Sequence, residues 1–354
     1  MSTEIASFAP EHLPLVARFA ETAWQRPRSD AWLRWRYLEH PSQRAWLALH
    51  DRRCLAMMTI FLRPYASGAR EIQVADAFDW YCLPELRNSG LGVRIMQRAM
   101  KDPEPVIVTG GTQDTRTLLP RMGFQTLAEV QRFVLPLAPE RTAEALARRG
   151  VPRPLGRLAF RAAQTIIAPR RRALPRGGRV LAVASVGPEA LAIDPRPGGR
   201  GSAPIWTPAF LRWLGAGFPG IGHYLPLYFA VGDVLVGWAL LRLFDTPLGP
   251  EAALLDLRAG ETDQALYTWM VSEVALRAAG FAPGFLTAGT TCPALAAALR
   301  RNRFRAVGLA PIHWYSKQEP PLEAPIVFGS HWGDEPLVPY PIGWWNSGSN
   351  AQIP

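Results

Sequence analysis

Apolar residues recur at helical spacing near the start of the chain, then at strand-like spacing, and then the two patterns alternate. The spacing predicts a first helix over residues 5–24 and a second over 30–40, started by Asp30 as N-cap and stopped before Pro41. Extended stretches follow at 45–50, 55–62 and 71–83, with Asp51 and Gly68 marking the turns. A helix from about Gly90 to Met100, a short apolar strand at 105–109, a short helix at 115–122 and a strand at 126–135 complete the run. The predicted order is α-α-β-β-β-α-β-α-β, an α/β (α+β) fold on a mixed sheet. Pro/Arg-rich sequence occupies about 138–180, and a second structured region begins near Val180.

That second region reads as a copy of the first. Leu33-Arg34-Trp35 returns as Leu211-Arg212-Trp213, Pro41 as Pro219, and Thr109-Gly110-Gly111-Thr112 as Thr287-Ala288-Gly289-Thr290, all at an offset of 178. Phe124 and Phe304 close the match at 180. A constant offset through separate motifs points to tandem duplication. The expected division is 1–140, a linker over 141–180, and 181–354.

Composition is that of a globular chain: 354 residues, 48% hydrophobic and 19% charged, enough for two cores. No stretch has the roughly 18 uncharged apolar residues of a membrane span, and the N-terminus lacks a secretory pattern. Cys54, Cys82 and Cys292 are too dispersed for a metal knuckle or disulfide framework, so no metal is expected and a reducing cytoplasm is the default compartment. The net charge of +10 is localised. Residues 141–180 hold eleven arginines and one acid, Glu144, a balance equal to the whole formal charge of the chain.

One run carries chemistry: Pro84-Glu85-Leu86-Arg87-Asn88-Ser89-Gly90-Leu91-Gly92. It lies between a predicted strand and a predicted helix. At a helix N-terminus the first N–H groups lack intrahelical partners and the dipole adds positive charge. Gly90 and Gly92 leave those groups open to a phosphate, and Arg87 adds a full charge. It is not a dinucleotide fingerprint, because the first glycine of that motif is missing, nor a Walker loop, because no Gly-Lys-Ser/Thr follows.

The combination resembles the GNAT acetyltransferase family, whose signature is Arg/Gln-x-x-Gly-x-Gly/Ala after a strand that often ends in Val-x-Pro-Glu. Here Cys82-Leu83-Pro84-Glu85 leads into Arg87-x-x-Gly90-x-Gly92. A second family element, a short helix ending in Gly-Phe, is matched by the run from Thr109 to Gly123-Phe124. The resemblance covers roughly residues 3–137. It implies two GNAT-like mixed-sheet domains in tandem and an acetyl-CoA-dependent N-acyltransferase acting on a small amine, an amino sugar or amino acid derivative among the options. It further implies acetyl-CoA between two splayed strands. The backbone of Trp80, Tyr81 and Cys82 would hold the pantetheine arm, and the amides of Arg87, Asn88, Ser89, Gly90, Leu91, Gly92 and Val93 would hold the pyrophosphate.

An amine must lose a proton to attack. Asp79 lies where many members of the family carry an acid, and Asp76, three residues earlier, is expected on the opposite face of the strand. Either could instead cap a strand or bind substrate. The family's tyrosine acid corresponds to Leu119, a departure that leaves Tyr81 as the nearest alternative donor to the leaving thiolate, or solvent. Cys82 as an acyl carrier is the weaker reading against a buried strand cysteine. No histidine pair stands at metal spacing.

The second half loses the cradle. Leu254-Leu255-Asp256-Leu257 leads into Arg258-Ala259-Gly260-Glu261-Thr262-Asp263, whose acids would repel a pyrophosphate, and Gly-Phe becomes Arg303-Phe304. A degenerate GNAT repeat without acetyl-CoA is expected, bracing the first domain or lining an acceptor pocket with His331, Trp332, Tyr340, Trp344 and Trp345. In the linker, Arg153, Arg157 and Arg161 form one helical stripe, away from Leu155, Leu158, Ala159, Ala162 and Ile166. Residues 153–172 suit a solvated linker helix or a peripheral contact with an anionic membrane at the inner face. They suit nucleic acid less, with Phe160 as the lone aromatic. Two other functions stay open: a non-catalytic acyl-CoA-binding scaffold, and an aminoacyltransferase of the tandem-GNAT type. The pattern does not speak to oligomeric state.

Overall fold

The structure is a computed structural model and describes residues 3–24, 29–138, 143, 147, 150, 152–158, 168–173, 175–216, 222–246, 249–260 and 263–329. It divides into two compact units. The first comprises Met1–Ala128, Pro204–Phe218 and Pro311–Glu323, and the second Glu129–Ala203, Pro219–Ala310 and Ala324–Pro354. The units therefore interleave along the chain, where the sequence leads one to expect consecutive blocks.

The first half starts with a strand, β1 (Glu4–Ser7), where the periodicity predicts helix. β1 pairs antiparallel with β2 (Gln43–His50), from Glu4 opposite Leu49 to Ser7 opposite Trp46. Pro10 opens a single turn at Pro10–His12, as its fixed φ and missing N–H allow only at a helix start, and α1 (Leu13–Trp24) follows. In α2 (Asp30–Tyr37) the cap is Ser29, one residue before the predicted Asp30; its Oγ accepts from the Trp32 N–H at 3.3 Å. β3 (Arg53–Ser67) and β4 (Arg70–Cys82) form a long antiparallel ladder. α3 (Leu91–Ala99), β5 (Val106–Thr109), α4 (Gln113–Arg121) and β6 (Gln125–Pro136) follow within a few residues of their predicted positions.

The second half repeats this succession. It runs through β7 (Gly178–Ala182), a turn at Pro188–Leu191, β8 (Ser202–Pro204), α5 (Pro208–Ala216), β9 (His223–Val231), β10 (Val234–Thr246), β11 (Gly249–Ala259), α6 (Gln264–Ala279), β12 (Phe285–Thr290), α7 (Pro293–Arg301) and β13 (Arg305–Tyr315). Gly123 takes the left-handed conformation after α4 at φ 92°. Arg303 holds the same conformation after α7 at φ 70°, so the turn survives the loss of its glycine.

In the first unit the strand order is β1-β2-β3-β4-β5, and β5 is paired on its far side by the end of β13, from Thr109 opposite Ile312 to Val106 opposite Tyr315. In the second unit the order is β7-β9-β10-β11-β12, and β12 is paired on its far side by the end of β6, from Phe285 opposite Pro136 to Thr290 opposite Gln131. Each half of the chain thus hands its last strand to the other half's sheet.

One face of the first unit's sheet packs Ala56, Met58, Ile60, Ala75 and Ala77 against Leu91, Ile95, Met96 and Ala99 of α3, the buried stripe of that helix. Leu119 of α4 is fully enclosed in the same core. The second unit builds its own core around Trp269, Met270, Val271 and Val274 of α6, with Leu227, Ala239, Leu254 and Leu286. Among the described residues no helix is long and apolar enough to cross a membrane.

Candidate active site

β4 lies parallel to β5 over three residues only, with Ala75 opposite Val106 and Ala77 opposite Val108. Beyond Ala77 it stays paired with β3 but leaves β5, so Phe78–Cys82 form one arm of a V. A bulge marks the departure: Phe78 faces Thr59 and Tyr81 faces Met57, leaving Asp79 and Trp80 opposite Met58 alone. Asp79 takes φ 49°, a region that L residues other than Asn and Asp rarely enter.

The bulge changes where Asp79 points. Strict alternation places it opposite Asp76; the extra residue brings both carboxylates to arginines that flank His40. Asp79 Oδ2 accepts from Arg36 Nε at 2.8 Å, from Arg36 Nη2 at 2.8 Å and from the Tyr37 hydroxyl at 2.7 Å. All three donors converge on Oδ2. Asp76 Oδ1 accepts from the Tyr65 hydroxyl at 2.7 Å, and Oδ2 lies 3.5 Å from Arg63 Nη1. Burial pushes the Asp76 carboxyl up to about 6, against the opposing pull of Arg63 and Tyr65. The partner tyrosines Tyr37 and Tyr65 are held neutral, chiefly by burial.

His40 is the hub between these clusters. Its ring stacks on Phe61 at 3.6 Å and meets Phe210 and Trp213 edge-on. Nδ1 accepts from the Ser42 N–H at 3.1 Å, so the neutral ring carries its proton on Nε2. Burial, with Arg63 and Arg36 nearby, lowers the imidazole to about 2. Arg36, Tyr37, Arg63, Tyr65 and His40 are site residues that the sequence alone does not single out. The available signal is Arg36 one turn after Trp32, on the buried face of α2.

After β4, a turn at Pro84–Ser89 delivers Gly90, which serves as N-cap of α3 at φ 75°. No side chain caps the helix from Gly90, and a Cβ there would meet nothing within 4 Å. The Ser89 hydroxyl accepts from the Leu91 N–H at 3.3 Å. Trp80 Nε1 donates to the Gly92 carbonyl at 2.8 Å, tying the splayed strand to the first turn of α3. Asn88, Ser89 and Gly90 are exposed, and Val93 is half-buried. Arg87 is exposed and its Nη2 donates to the Tyr81 hydroxyl at 3.0 Å, while Phe19 meets the Tyr81 ring edge-on. Cys82 is half-buried, its thiol pushed up by burial and by Glu85, a poor setting for a nucleophile.

The equivalent end of the second unit is built differently. There the N-cap of α6 is Asp263, whose carboxylate accepts from the Ala265 and Leu266 N–H groups at 2.9 and 3.2 Å. A fixed anion takes the place that Gly90 leaves open. Glu261 and the aromatic tail from His331 onward lie outside the described residues, as do Arg161 and the apolar positions 159, 162 and 166. Among the described residues no cluster of His, Cys, Asp or Glu could hold a metal ion.

Residues 10–103, which span α1 through the end of α3, match the family profile described as Acetyltransferase (GNAT) family. This stretch is a GNAT domain. No curated protein matches the sequence. Among solved structures, a GCN5-related N-acetyltransferase from Anabaena variabilis aligns with TM-score 0.57 at 10% identity, covering 88% of this chain and 72% of its own. N-myristoyltransferase of Saccharomyces cerevisiae with bound myristoyl-CoA aligns with TM-score 0.60 at 11% identity, covering 89% and 82%. A putative acetyltransferase from Pyrococcus horikoshii aligns with TM-score 0.54 at 12% identity, covering 89% and 90%. At these identities the likeness is one of fold, and it extends past the GNAT domain to both halves of the chain. The matched residues include both β4 and α3, which border the V.

Proposed function

We propose that this chain transfers an acetyl group from acetyl-CoA to the nitrogen of a small amine, with an amino sugar or amino acid derivative as the acceptor class. The observation that carries the reading is the contrast at two helix starts: Gly90 leaves the N-terminus of α3 open at the end of a splayed strand, whereas Asp263 closes that of α6. The pantetheine arm would run along the backbone of Trp80, Tyr81 and Cys82. The pyrophosphate would meet the amides around Gly90, Leu91 and Gly92, with Arg87 beside it. The second half, with its cap in place, serves as a brace.

In the reaction the acceptor nitrogen attacks the thioester carbon, the C–S bond breaks, the nitrogen loses a proton and the sulfur gains one. Holding the amine beside the thioester makes the step effectively unimolecular. Asp79, the acid on the splayed arm of β4, is the first candidate to take the amine proton, directly or through water. Asp76, ionised above about pH 6, is the second candidate. The Tyr81 hydroxyl, beside the Arg87 guanidinium, is the candidate donor to the leaving sulfur. Calorimetric titration with acetyl-CoA and a CoA-release assay over an amine panel test the reading. No binding, or turnover indifferent to Asp79→Asn, Asp76→Asn and Tyr81→Phe together, overturns it.

One observation favours a second reading, a scaffold that binds acyl-CoA without turnover: Leu119, at the position of the family's tyrosine acid, is sealed in the core. Binding without CoA release across the panel would select it.

A further inference from the structure

The Arg-rich stretch plays no part in the acyltransferase reading, yet its described residues form a defined surface on the second unit. Residues 153–158 are helical. Gly156 faces inward: a Cβ there would stand 3.1 Å from the Cα of Ala143, which is itself buried, so this turn docks by close backbone approach. Side chains two positions away on either side of Gly156 are carried to the opposite face of the helix. These are Pro154 and Leu158. Leu158 is 66% exposed and Leu155 is 58% exposed. Arg153, Pro154, Arg157 and Leu158 line one concavity of about 460 Å³. Further along the stretch, Arg171 Nε reaches Glu273 at 3.2 Å, Arg172 donates to the Arg301 carbonyl, and Arg179 reaches Asp233 at 3.1 Å.

We propose that residues 153–158 dock the protein on a bilayer surface rich in anionic phospholipid. Arg153 and Arg157 would meet lipid phosphates while Leu155 and Leu158 enter the boundary between headgroups and acyl chains. The charge is complementary, since the surrounding forty residues (141–180) carry eleven arginines against one acid. The pairing of exposed leucines with arginines is what selects lipid. A nucleic-acid backbone would use the arginines but has no use for the leucines, and Phe160 alone cannot form a stacking platform.

The test is co-sedimentation of the full chain with phosphatidylcholine vesicles, with and without phosphatidylglycerol. Binding is expected only when phosphatidylglycerol is present, and it should weaken as salt rises. Two separate double variants, Arg153→Glu with Arg157→Glu and Leu155→Ser with Leu158→Ser, should each lower partitioning about tenfold or more. Acetyl-CoA titration of the same variants reads out the cleft separately, so a failure of docking is distinguishable from a failure of the acyltransferase reading. Equal partitioning to both vesicles, or none to either, overturns the proposal. So does loss in the arginine variant alone, combined with capture of the wild-type chain by single-stranded DNA.

Discussion

Trp35 and Trp213 stand 178 residues apart and form a reciprocal pair: each indole N–H donates to the other's backbone carbonyl, at 3.3 and 3.0 Å, and the rings stack at 4.1 Å with planes 8° apart. The separation equals the offset at which the sequence repeats itself. The two tryptophans are therefore equivalent positions of the two halves, brought face to face within the first unit. Each satisfies its buried N–H on the other. Truncation of either to Ala should cost about 3–5 kcal/mol of stability. Removal of both should cost less than the sum by about 1 kcal/mol, because the second truncation has no stack left to break. Denaturant unfolding of the double-mutant cycle measures this; strict additivity would mean that the pair is not coupled.

Asp76 and His40 make opposite predictions for stability against pH. Asp76 titrates higher in the folded chain than in the unfolded one, so its contribution is full below about pH 4 and is lost as pH rises through about 6. His40 titrates lower when folded, so its contribution is present above about pH 6.5 and falls as the solution is acidified towards 2. Between about pH 4 and 6 the two slopes oppose each other. Asp76→Asn should therefore leave a chain that loses stability on acidification more steeply than wild type, and His40→Leu one that loses it less steeply. Tm profiles across this range check the signs. If Asp76 is also the base, kcat/KM in wild type should fall below about pH 6.

At the cradle, Gly90→Asp places a carboxylate where Asp263 stands in the other half. Aspartate enters positive φ more readily than most residues and a Cβ at Gly90 meets nothing within 4 Å, so α3 should remain folded. Acetyl-CoA affinity should nevertheless drop about tenfold or more, because the carboxylate repels the phosphates. Circular dichroism with calorimetry separates the two effects; unchanged affinity would place the pyrophosphate elsewhere.

The converse substitution, Asp263→Ala, should destabilise the second unit by about 1 kcal/mol through the lost cap. It should not create a second acetyl-CoA site. A binding stoichiometry of two would contradict the brace assigned to the second half.

Much of this was legible in the residues. The turn and helix start around Arg87–Gly92 were readable because glycine and flanking periodicity point one way locally. The repeat was readable because one offset, 178, carries through three separate motifs. The bulge at Asp79 was not. Register is set between strands, and nothing in Phe78-Asp79-Trp80 marks the extra residue that turns Asp79 towards Arg36. β1 was hidden because Ile5, Phe8 and Leu13 fit a helical spacing as well as a strand followed by a turn. The arginine and tyrosine partners of the two carboxylates were invisible for a related reason: their burial arises from packing between elements distant in sequence.

The exchange of β6 and β13 also eluded linear reading, since element order does not say which sheet a strand joins. A fragment of residues 1–140 would leave β5 with an unpaired edge and should aggregate or stay unfolded. Soluble monomeric behaviour of that fragment by size exclusion would contradict this. Across generations the arrangement ties two fates together. A copy that no longer meets a ligand would ordinarily be free to decay or be deleted, yet here its final strand borders the sheet that carries the working cleft. On the proposed reading, selection for acyl transfer would then also preserve the bracing half, and a truncated gene could not keep one without the other.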